Sequence, residues 1–526
     1  MPVIIRGFNI QDEVRYSLDF VWMSYRDDKF PGDKATVAGP WRFRLSATYW
    51  LWVTMKYPEQ SALRMCPHLL AIREKVKVGD EHREFREFLE AGGHITSRNA
   101  SLGLETTVRK LLEEVICTAD AVCTTPHLSS NGIYYRFNKN IAQGIVLDEA
   151  GAMTQSDAHL VWGPGLRPCV LGGDSKQLRP VVGSSGLRRP DGTVVNPFSA
   201  IARASVLEYL KRTGWPCLVL ARQHRIVSGG FDLAKDVIYD DIPDDQFSYG
   251  DRTALGFDHP DIKVAVKVEH FVRVRYGAQT SPQGKVLPLF MHCPGSPAED
   301  PTTKSRYNET QNAVAVELLV ALFEQNIITK SDQVTVITPY RGNLAHLQTA
   351  LKTASHPLCA GVEVNTTDSI QGREAPVVIF VTVVSAVTDY HRLCVGLTRH
   401  KSALFVVGDL ATAKAGGSGP KGHLEEGVVV ESNAAANTRS SFFRMTEWFR
   451  AKSRFVAVAP RGQPAEDVTT MLANLAQGGG AGGRGGGRGR GRGGPGRGGG
   501  GLGRGGATGG RGGGRKWSWP WECPTW

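Results

Sequence analysis

The sequence lacks the features that mark secreted proteins and membrane-spanning proteins. Its nine cysteines are scattered and odd in number, without a Cys-x-x-Cys pair, which argues against a disulfide framework and against a zinc module. The amino-terminal sequence MPVIIR is too short and too soon charged for a signal peptide, and no apolar run approaches the length of a membrane span. The longest such run, residues 377–384, is typical of a buried strand. We therefore expect a soluble intracellular protein, in the cytoplasm, the nucleus or both.

The body of the chain also lacks a strong net charge. The formal net charge is +11, but residues 478–521 carry eight Arg and one Lys and no acid, so the rest is close to neutral. Because this segment consists of Arg-Gly and Arg-Gly-Gly repeats, we expect a disordered tail over 478–526. Its guanidinium groups suit RNA phosphates and bases, and the Trp cluster at 516–521 suits stacking or docking on a protein partner. The competing interpretation is an inert linker. The candidate RNA contacts are Arg484, Arg488, Arg490 and Arg492.

The remaining sequence has the pattern of an α/β protein. Hydrophobic residues make up 41% of the 526 residues, which is enough for two or three buried cores. From residue 117, short apolar segments alternate with helical patterns, and two such sets predict two parallel-sheet domains that divide near residues 205–217. The predicted strands are 117–125, 145–147, 169–174, 262–268, 286–290, 334–338, 362–366, 377–383 and 404–407. The predicted helices are 81–91, 105–116, 308–325, 342–353 and 440–452. Residues 1–110 are otherwise hard to interpret, and we assign no site to them.

One predicted strand ends abruptly in two adjacent carboxylates, Asp148 and Glu149. The carboxyl edge of a parallel sheet is where open α/β folds bind ligands. In a nucleotide-hydrolysing enzyme, the first acid would hold Mg²⁺, and the second would orient or deprotonate the attacking water. Taken alone, the pair is a weak signal, since strands that end in Asp-Glu are common at the surface of α/β proteins.

Six short motifs follow one another along the chain, and the first contains Asp148 and Glu149. Their order is more specific evidence than any single motif. Together they resemble superfamily 1 helicases of the type that includes the nonsense-mediated-decay RNA helicase. The resemblance covers residues 117–410, more than half of the chain. In chain order the motifs are DEAG at 148–151, GGDSKQLRP at 172–180, LARQHRI at 220–226, VITPYR at 336–341, TTDSIQGRE at 366–374 and VGLTR at 395–399.

The resemblance implies an α/β fold with two RecA-like parallel-sheet domains of the P-loop NTPase type, the first one incomplete, followed by the Gly/Arg-rich tail. We expect the first domain at 1–215, the second at 216–412, a linker with a short helix at 413–477 and the tail at 478–526. The implied activity is ATP-dependent movement along RNA or single-stranded DNA, with ATP and Mg²⁺ as cofactors and a monomer as the working form. The two domains would close around ATP, so that hydrolysis changes their closure.

The resemblance also assigns roles to residues. The catalytic candidates are Glu149, Gln177, Arg225 and Arg399, of which the two arginines would stabilise the charge that develops during phosphoryl transfer. The metal candidate is Asp148. The nucleotide-binding candidates are Asp148, Asp174, Gln177, His224, Arg225, Gly372, Glu374 and Arg399. The nucleic-acid candidates in the body are Thr124, Thr125, Thr338, Pro339, Tyr340 and Thr366, for which simple turn-capping is the competing interpretation.

One family motif is not found. The 526 residues contain no Gly-x-x-x-x-Gly-Lys-Ser/Thr loop, whose backbone N–H groups cradle phosphates, and the segment PGDKAT at 31–36 is a poor substitute that we interpret as a surface turn. The sequence therefore leaves three interpretations open. The chain belongs to an active helicase and begins after the loop, through truncation or an incomplete gene model; or it is an ATPase-deficient RNA-binding protein; or it is a scaffold that uses its terminal Trp cluster. As written, we expect it to bind ATP poorly.

Overall fold

Short strands and helices alternate along the chain in a computed structural model of the protein, as expected for an α/β fold. The chain divides into two units, Met1–Ala473 and Asn474–Trp526. The structure describes residues 2–18, 42–56, 66–93, 98–163, 165–301, 303–383, 390–410 and 441–459, all within the first unit. The predicted tail, its four candidate arginines and the segment at 31–36 lie outside these residues. Within them, no helix is long and apolar enough to cross a membrane.

The strands are β1 (Ile4–Arg6), β2 (Ala121–Cys123), β3 (Ile145–Leu147), β4 (Cys169–Leu171), β5 (Arg222–Gln223), β6 (Ser248–Tyr249), β7 (Leu289–His292), β8 (Ala298–Glu299), β9 (Arg306–Tyr307), β10 (Val334–Thr338), β11 (Glu363–Thr366), β12 (Ala375–Val381), β13 (His400–Gly408) and β14 (Phe455–Ala457). The helices are α1 (Ile10–Tyr16), α2 (Ala47–Lys56), α3 (Pro67–Val78), α4 (Arg83–Glu90), α5 (Arg98–Cys117), α6 (Pro126–Ser129), α7 (Gly132–Asn140), α8 (Gln155–Trp162), α9 (Ser199–Ala202), α10 (Val206–Arg212), α11 (Asp232–Val237), α12 (Pro260–Tyr276), α13 (Glu309–Glu324), α14 (Arg341–Lys352), α15 (Tyr390–Leu397) and α16 (Ser441–Ala451).

The second half of the chain is built on a six-stranded parallel sheet in the order β11-β10-β12-β13-β7-β14. Its central strand β12 is almost entirely buried, because both faces of a parallel sheet are covered. Helix α13 packs its apolar side, including Leu318 and Leu322, into the same core. Strand β14 pairs with β7 although it lies in the segment that we predicted as a linker. The second α/β lobe therefore includes residues 441–459.

The first half is less regular. Strand β1 pairs with β2, strand β3 pairs with β4, and among the described residues no ladder joins the two pairs into one sheet. Ile145 and Leu147 pack against a small core formed with α8 and α10. On the other face, Val146 and Val170 are 77% and 64% exposed. Parallel sheets are normally covered on both faces, and within the described part of the chain this face of β3 and β4 is exposed.

Two sequence predictions in this region were wrong. Residues 262–268, predicted as a strand, lie within α12. The alternation of Val264, Val266 and Val268 suggested a strand, but His259 caps the helix, Pro260 occupies its first turn, and Gly277 ends it in the left-handed conformation. The strand predicted at 117–125 is only β2, because α5 continues to Cys117.

The stability of the second lobe should depend on pH through His400. This side chain is fully buried and its Nε2 lies 3.2 Å from the carbonyl oxygen of Gly230, so the neutral imidazole donates a hydrogen bond there. Burial lowers the pKa of His400 from 6.5 to about 4. Between these values the unfolded chain binds a proton that the folded chain does not. The contribution of His400 to the free energy of unfolding should therefore be fully present above pH 6.5. It should fall as the pH drops towards 4, by up to about 3 kcal/mol.

Urea unfolding of the wild type and of His400→Gln at several pH values will check this expectation. The variant should be less stable at pH 7, and its unfolding free energy should change less between pH 6.5 and 4. The residual slope will contain His292, whose pKa is also lowered by burial. Equal slopes for the two proteins would show that His400 does not carry the pH dependence.

Candidate active site

Asp148 and Glu149 stand directly after β3 at the carboxyl end of the strand, and both are exposed. The Oδ1 atom of Asp148 accepts a hydrogen bond of 3.0 Å from the backbone N–H of Glu149. Glu149 has a φ of 54°, a left-handed conformation that is uncommon for a residue with a side chain. Such a conformation persists only where the surrounding structure imposes it, and it frequently marks a functional position.

The loop that follows β4 packs against this acidic turn through the backbone. Ala150 N–H donates to the Gly172 carbonyl oxygen at 2.8 Å. A Cβ atom on Gly151 would lie 2.4 Å from the carbonyl oxygen of Asp174, and a Cβ on Gly173 would lie 2.7 Å from the nitrogen of Gly151. Glycine is therefore required at both positions. The close approach holds the residues after Asp174 beside the two carboxylates.

Gln177 lies in this loop and links the two lobes. Its Nε2 donates to Asp174 Oδ2 at 3.1 Å, and its Oε1 accepts a hydrogen bond from Nη2 of Arg399. Glu149 makes a second contact across the cleft, because its Oε2 accepts from Nε2 of Gln371 at 3.4 Å. Thus the first lobe supplies the carboxylates of Asp148 and Glu149 and the amide of Gln177. The second lobe contacts Gln177 through Arg399 and Glu149 through the amide of Gln371.

Arg225 belongs to the same group of charges. Its Nε lies 2.5 Å from Glu374 Oε2, and Glu374 Oε1 lies 2.9 Å from Nζ of Lys401. Partial burial by itself would raise the pKa of Glu374, but the hydrogen bond from Lys401 and the charge of Arg225 together lower it. Glu374 is therefore ionised at neutral pH and holds Arg225 in place without neutralising the whole cluster.

Arg399 is the most buried cation of the site, with 2% of its surface exposed. Burial lowers its pKa and the neighbouring charge of Arg225 lowers it further, whereas the charge of Glu149 raises it. Within the described residues, its buried Nε has no hydrogen-bond partner. A buried donor without a partner is costly, so this nitrogen is suited to an anionic ligand that enters the cleft.

The arrangement fits the terminal phosphate of a nucleotide and a magnesium ion. Arg399 and Arg225 supply positive charge, and Asp148 is exposed at the strand end. The described residues contain no group of three or more His, Cys, Asp or Glu side chains placed to hold a metal. Magnesium commonly binds through one or two carboxylates together with phosphate oxygens and water, so a single acid such as Asp148 is sufficient.

Three of the remaining nucleotide-binding candidates occupy different positions. Gly372 has a φ of 75° and comes close to Glu149, since a Cβ there would lie 3.9 Å from Oε1 of that residue. His224 is exposed and its ring lies against Gly250, where a Cβ would approach to 2.4 Å. The carboxylate of Asp174 accepts hydrogen bonds from Gln177, from the backbone N–H of Lys176 and from the Tyr239 hydroxyl, so it does not face open space.

The nucleic-acid candidates of the first lobe lie at the end of β2. Thr125 caps α6 by accepting from Leu128 N–H at 3.4 Å, which is the capping role that competed with nucleic-acid contact. Thr124 Oγ1 is buried and has no partner among the described residues. It lies beside Gly7, where a Cβ would approach within 2.5 Å. The end of β1 therefore belongs to the same sheet edge, which the sequence did not indicate.

The candidates of the second lobe differ in accessibility. Thr338 is fully buried and accepts from Asn343 Nδ2 at 3.1 Å, and Pro339 is buried as well. Thr366 is also buried, with Oγ1 3.2 Å from Ser369 Oγ. For Thr338, Pro339 and Thr366, side-chain contact with a nucleic acid is therefore disfavoured.

Tyr340 is half-buried and remains the best placed of the group for stacking on a base. Burial raises the pKa of its phenol, and the charges of Arg306 and Arg392 oppose this shift.

Comparison with known proteins finds similarity to helicases. The AAA domain family matches residues 202–411. The Caenorhabditis elegans protein named Regulator of nonsense transcripts 1 is 26% identical over 311 residues, which cover 56% of this chain and 25% of that protein. Helicase sen1 of Schizosaccharomyces pombe is 23% identical over 319 residues, covering 58% and 17%. The chain is similar to superfamily 1 helicases. An uncharacterized ATP-dependent helicase of Methanocaldococcus jannaschii is 24% identical over 310 residues, covering 58% and 41%.

These relatives are much longer than the matched region, since the chain spans between 17% and 41% of their length. Among solved structures, an arterivirus helicase in complex with DNA is 15% identical, with a TM-score of 0.26 and coverage of 55% of this chain and 42% of that one. A TM-score of this size supports no argument about the fold. The fold assignment rests on the six-stranded parallel sheet and the order of the motifs.

Several residues of this site were not predicted. Gln371 and Lys401 contact Glu149 and Glu374, and both lie within or next to motifs that the sequence did reveal. Their polar character within or beside these motifs was the available signal. Tyr239 and its contact with Asp174 gave no such signal, because the two residues are 65 positions apart and Tyr239 lies in a segment without periodicity.

Proposed function

We propose that this chain is part of an ATP-dependent helicase or translocase that acts on RNA. The observation that carries the proposal is the hydrogen bond between Arg399 of the second lobe and Gln177 of the first, beside Arg225 and the two carboxylates. A site divided between two lobes makes hydrolysis depend on their closure, which is how such a motor couples chemistry to movement.

Each residue has a defined task in this proposal. Asp148 holds the metal, directly or through water, and Glu149 orients the attacking water and accepts its proton. Gln177 senses the terminal phosphate, and Arg225 and Arg399 stabilise negative charge that develops there. Bound Mg²⁺ supplies further charge neutralisation at the phosphate oxygens. Because Glu374 and Gln177 already hold the two arginines, the cations are positioned before a ligand arrives.

The test is RNA-stimulated ATP hydrolysis by the 526-residue chain. We use ATP at millimolar concentration, at the upper end of typical KM values, because a phosphate loop is not found in this sequence. Glu149→Gln should lower the rate by about 10²- to 10⁴-fold, since the amide cannot accept a proton. Glu299→Gln, at an exposed carboxylate of β8, is the matched control and should leave the rate unchanged. RNA binding without any turnover that depends on Glu149 would instead favour an ATPase-deficient RNA-binding protein.

RNA is proposed over single-stranded DNA because of the Arg-Gly tail. Deleting residues 478–526 removes eight Arg and one Lys. RNA affinity should fall by about tenfold or more, and the dependence of log K on log salt should become shallower by about 0.7 for each phosphate that the protein no longer neutralises. A variant with the eight tail arginines changed to lysine should keep the salt dependence and lose part of the affinity, since lysine does not stack on bases.

Fluorescence anisotropy with single-stranded RNA and DNA of one sequence, at several salt concentrations, measures both quantities. An unchanged affinity and salt slope after the deletion would show that the tail is a spacer or a protein-binding segment. Equal losses for RNA and DNA would show that the tail does not distinguish them.

A further inference from the structure

Tyr239 lies outside every motif, yet it bridges the two lobes at the active site. It follows α11, which packs against α15 and α16 of the second lobe. Its hydroxyl donates a hydrogen bond to Oδ2 of Asp174 in the first lobe and lies 3.2 Å from Sγ of Cys394. Burial raises the pKa of the Tyr239 phenol well above its usual value of 10, and Cys394 and Asp174 raise it further. Tyr239 therefore keeps its proton and remains a donor.

The receiving carboxylate is also the anchor of Gln177. Oδ2 of Asp174 accepts from Gln177 Nε2 at 3.1 Å, and Oδ1 accepts from Lys176 N–H at 2.8 Å. A carboxylate accepts only, so the amide of Gln177 must turn its NH₂ group towards Asp174 and its oxygen away from it. That oxygen meets Arg399, which donates only. The orientation of the Gln177 amide is thus fixed at both ends.

Two further contacts hold Tyr239 at this position. Nζ of Lys176 donates to the Ile238 carbonyl oxygen at 3.0 Å and lies 5.1 Å from the centre of the Tyr239 ring. On the far side of α11, Trp448 Nε1 donates to Asp236 at 2.8 Å. The segment is therefore supported from α16 and presents its hydroxyl to the first lobe.

We infer that Tyr239 is a positioning residue for Gln177, acting across the cleft through the Asp174 carboxylate. Its hydroxyl reaches Asp174 from the second lobe, so the carboxylate that orients the Gln177 amide is itself held in place when the lobes are together. The inference rests on the proposed function for its consequence in hydrolysis, but the orientation of Gln177 can be measured separately.

The test compares Tyr239→Phe with Tyr249→Phe. Both changes remove one half-buried hydroxyl that bonds to a carboxylate, but the Tyr249 hydroxyl bonds to Asp232 within the second lobe, at 2.8 Å. The Tyr239→Phe ring keeps its packing against Phe231. The two variants should therefore lose similar amounts of folding stability. An effect on Gln177 should appear only in Tyr239→Phe.

The first measurement is the side-chain amide signal of Gln177 in the full chain with ¹⁵N-labelled glutamine, assigned by its disappearance in Gln177→Glu. Tyr239→Phe should shift this signal and speed its hydrogen exchange several-fold, and Tyr249→Phe should leave it unchanged. The second measurement is RNA-stimulated ATP hydrolysis, in which Tyr239→Phe should lower kcat by roughly tenfold, with the KM for ATP unchanged.

An unchanged Gln177 signal in Tyr239→Phe overturns the inference, whatever the turnover. An equal change in both variants also overturns it, because the hydroxyl would then act on the fold in general. A change confined to Tyr239→Phe supports the inference even if the wild type hydrolyses no ATP, in which case it is the proposed function that fails. If turnover is present, a rise in KM at constant kcat counts against the positioning role.

Discussion

Arg399→Ala should lower RNA-stimulated ATP hydrolysis by about 10³- to 10⁵-fold, the contribution of an arginine finger in phosphoryl transfer. The guanidinium is nearly fully buried, bonds to Gln177 and has a buried Nε without a partner among the described residues, so it is already placed for a charge that develops in the cleft. A cation in a water-excluded site stabilises developing negative charge far more than a cation in solvent does. The rate should therefore fall much more than the affinity for RNA.

Two further variants sharpen this experiment. Arg399→Lys keeps the charge but loses the planar fork that donates to Gln177 and to a second group, and we expect a loss between those of the wild type and the alanine variant. Arg373→Ala is the control, since this arginine lies in a neighbouring motif and pairs with Glu363 at the surface. A rate for Arg399→Ala within tenfold of the wild type would show that Arg399 is a structural cation.

Glu269→Ala should destabilise the second lobe by about 3–5 kcal/mol, because it leaves a buried arginine without its counter-ion. Arg454, which precedes β14, is 1% exposed, and its Nη2 lies 3.0 Å from Glu269 Oε2 on α12. The same guanidinium donates to the Leu287 carbonyl oxygen at 2.9 Å, and Glu269 accepts from Ser281 N–H at 2.8 Å. Burial lowers the pKa of Arg454, and the charge of Glu269 opposes this, so the guanidinium keeps its proton.

Urea denaturation measures the loss of stability. The control is Glu299→Ala, whose partner Lys304 is at the surface at 4.0 Å, and it should change the unfolding free energy by less than about 1 kcal/mol. Replacing both buried partners with Leu and Met should recover most of the loss, since no charge is then left alone. A double variant as unstable as Glu269→Ala would show that the bonds from Arg454 to the backbone carbonyls matter more than the ion pair.

The sequence predicted the second lobe well because its strands are long and apolar and its helices have clear periodicity. The strands at 334–338 and 377–383 and the helices at 308–325 and 342–353 appear close to their predicted ends as β10, β12, α13 and α14. The first lobe was harder, since its strands have three residues each and little pattern to detect. The error at α12 shows the same limit, because valines at alternate positions fit a strand, whereas in the helix Val264 and Val268 share the buried face and Val266 is 48% exposed.

The order of the motifs identified the residues of the candidate site, but it did not indicate which of their side chains are exposed. Thr338 and Thr366 stand at strand ends, as predicted, yet their side chains turn into the lobe and bond to Asn343 and Ser369. Strand position determines which edge a residue occupies, whereas packing by neighbours decides whether its side chain reaches solvent. Contacts between distant segments, such as that of Tyr239 with Asp174, depend on the relative placement of the two lobes and cannot be inferred from local pattern.

The pairing of β14 with β7 has a consequence for how this protein can be divided. A fragment that stops at residue 412, the boundary predicted from the motifs, would lose β14 and leave one side of β7 without a neighbour. Every residue of β7 is buried, so its uncovered backbone would form an apolar sheet edge of the kind that pairs with other molecules and aggregates. Residues 441–459 therefore complete the sheet of the second lobe, although they follow its other strands only after residues 411–440 in the sequence. The smallest useful fragment of this lobe extends to residue 459.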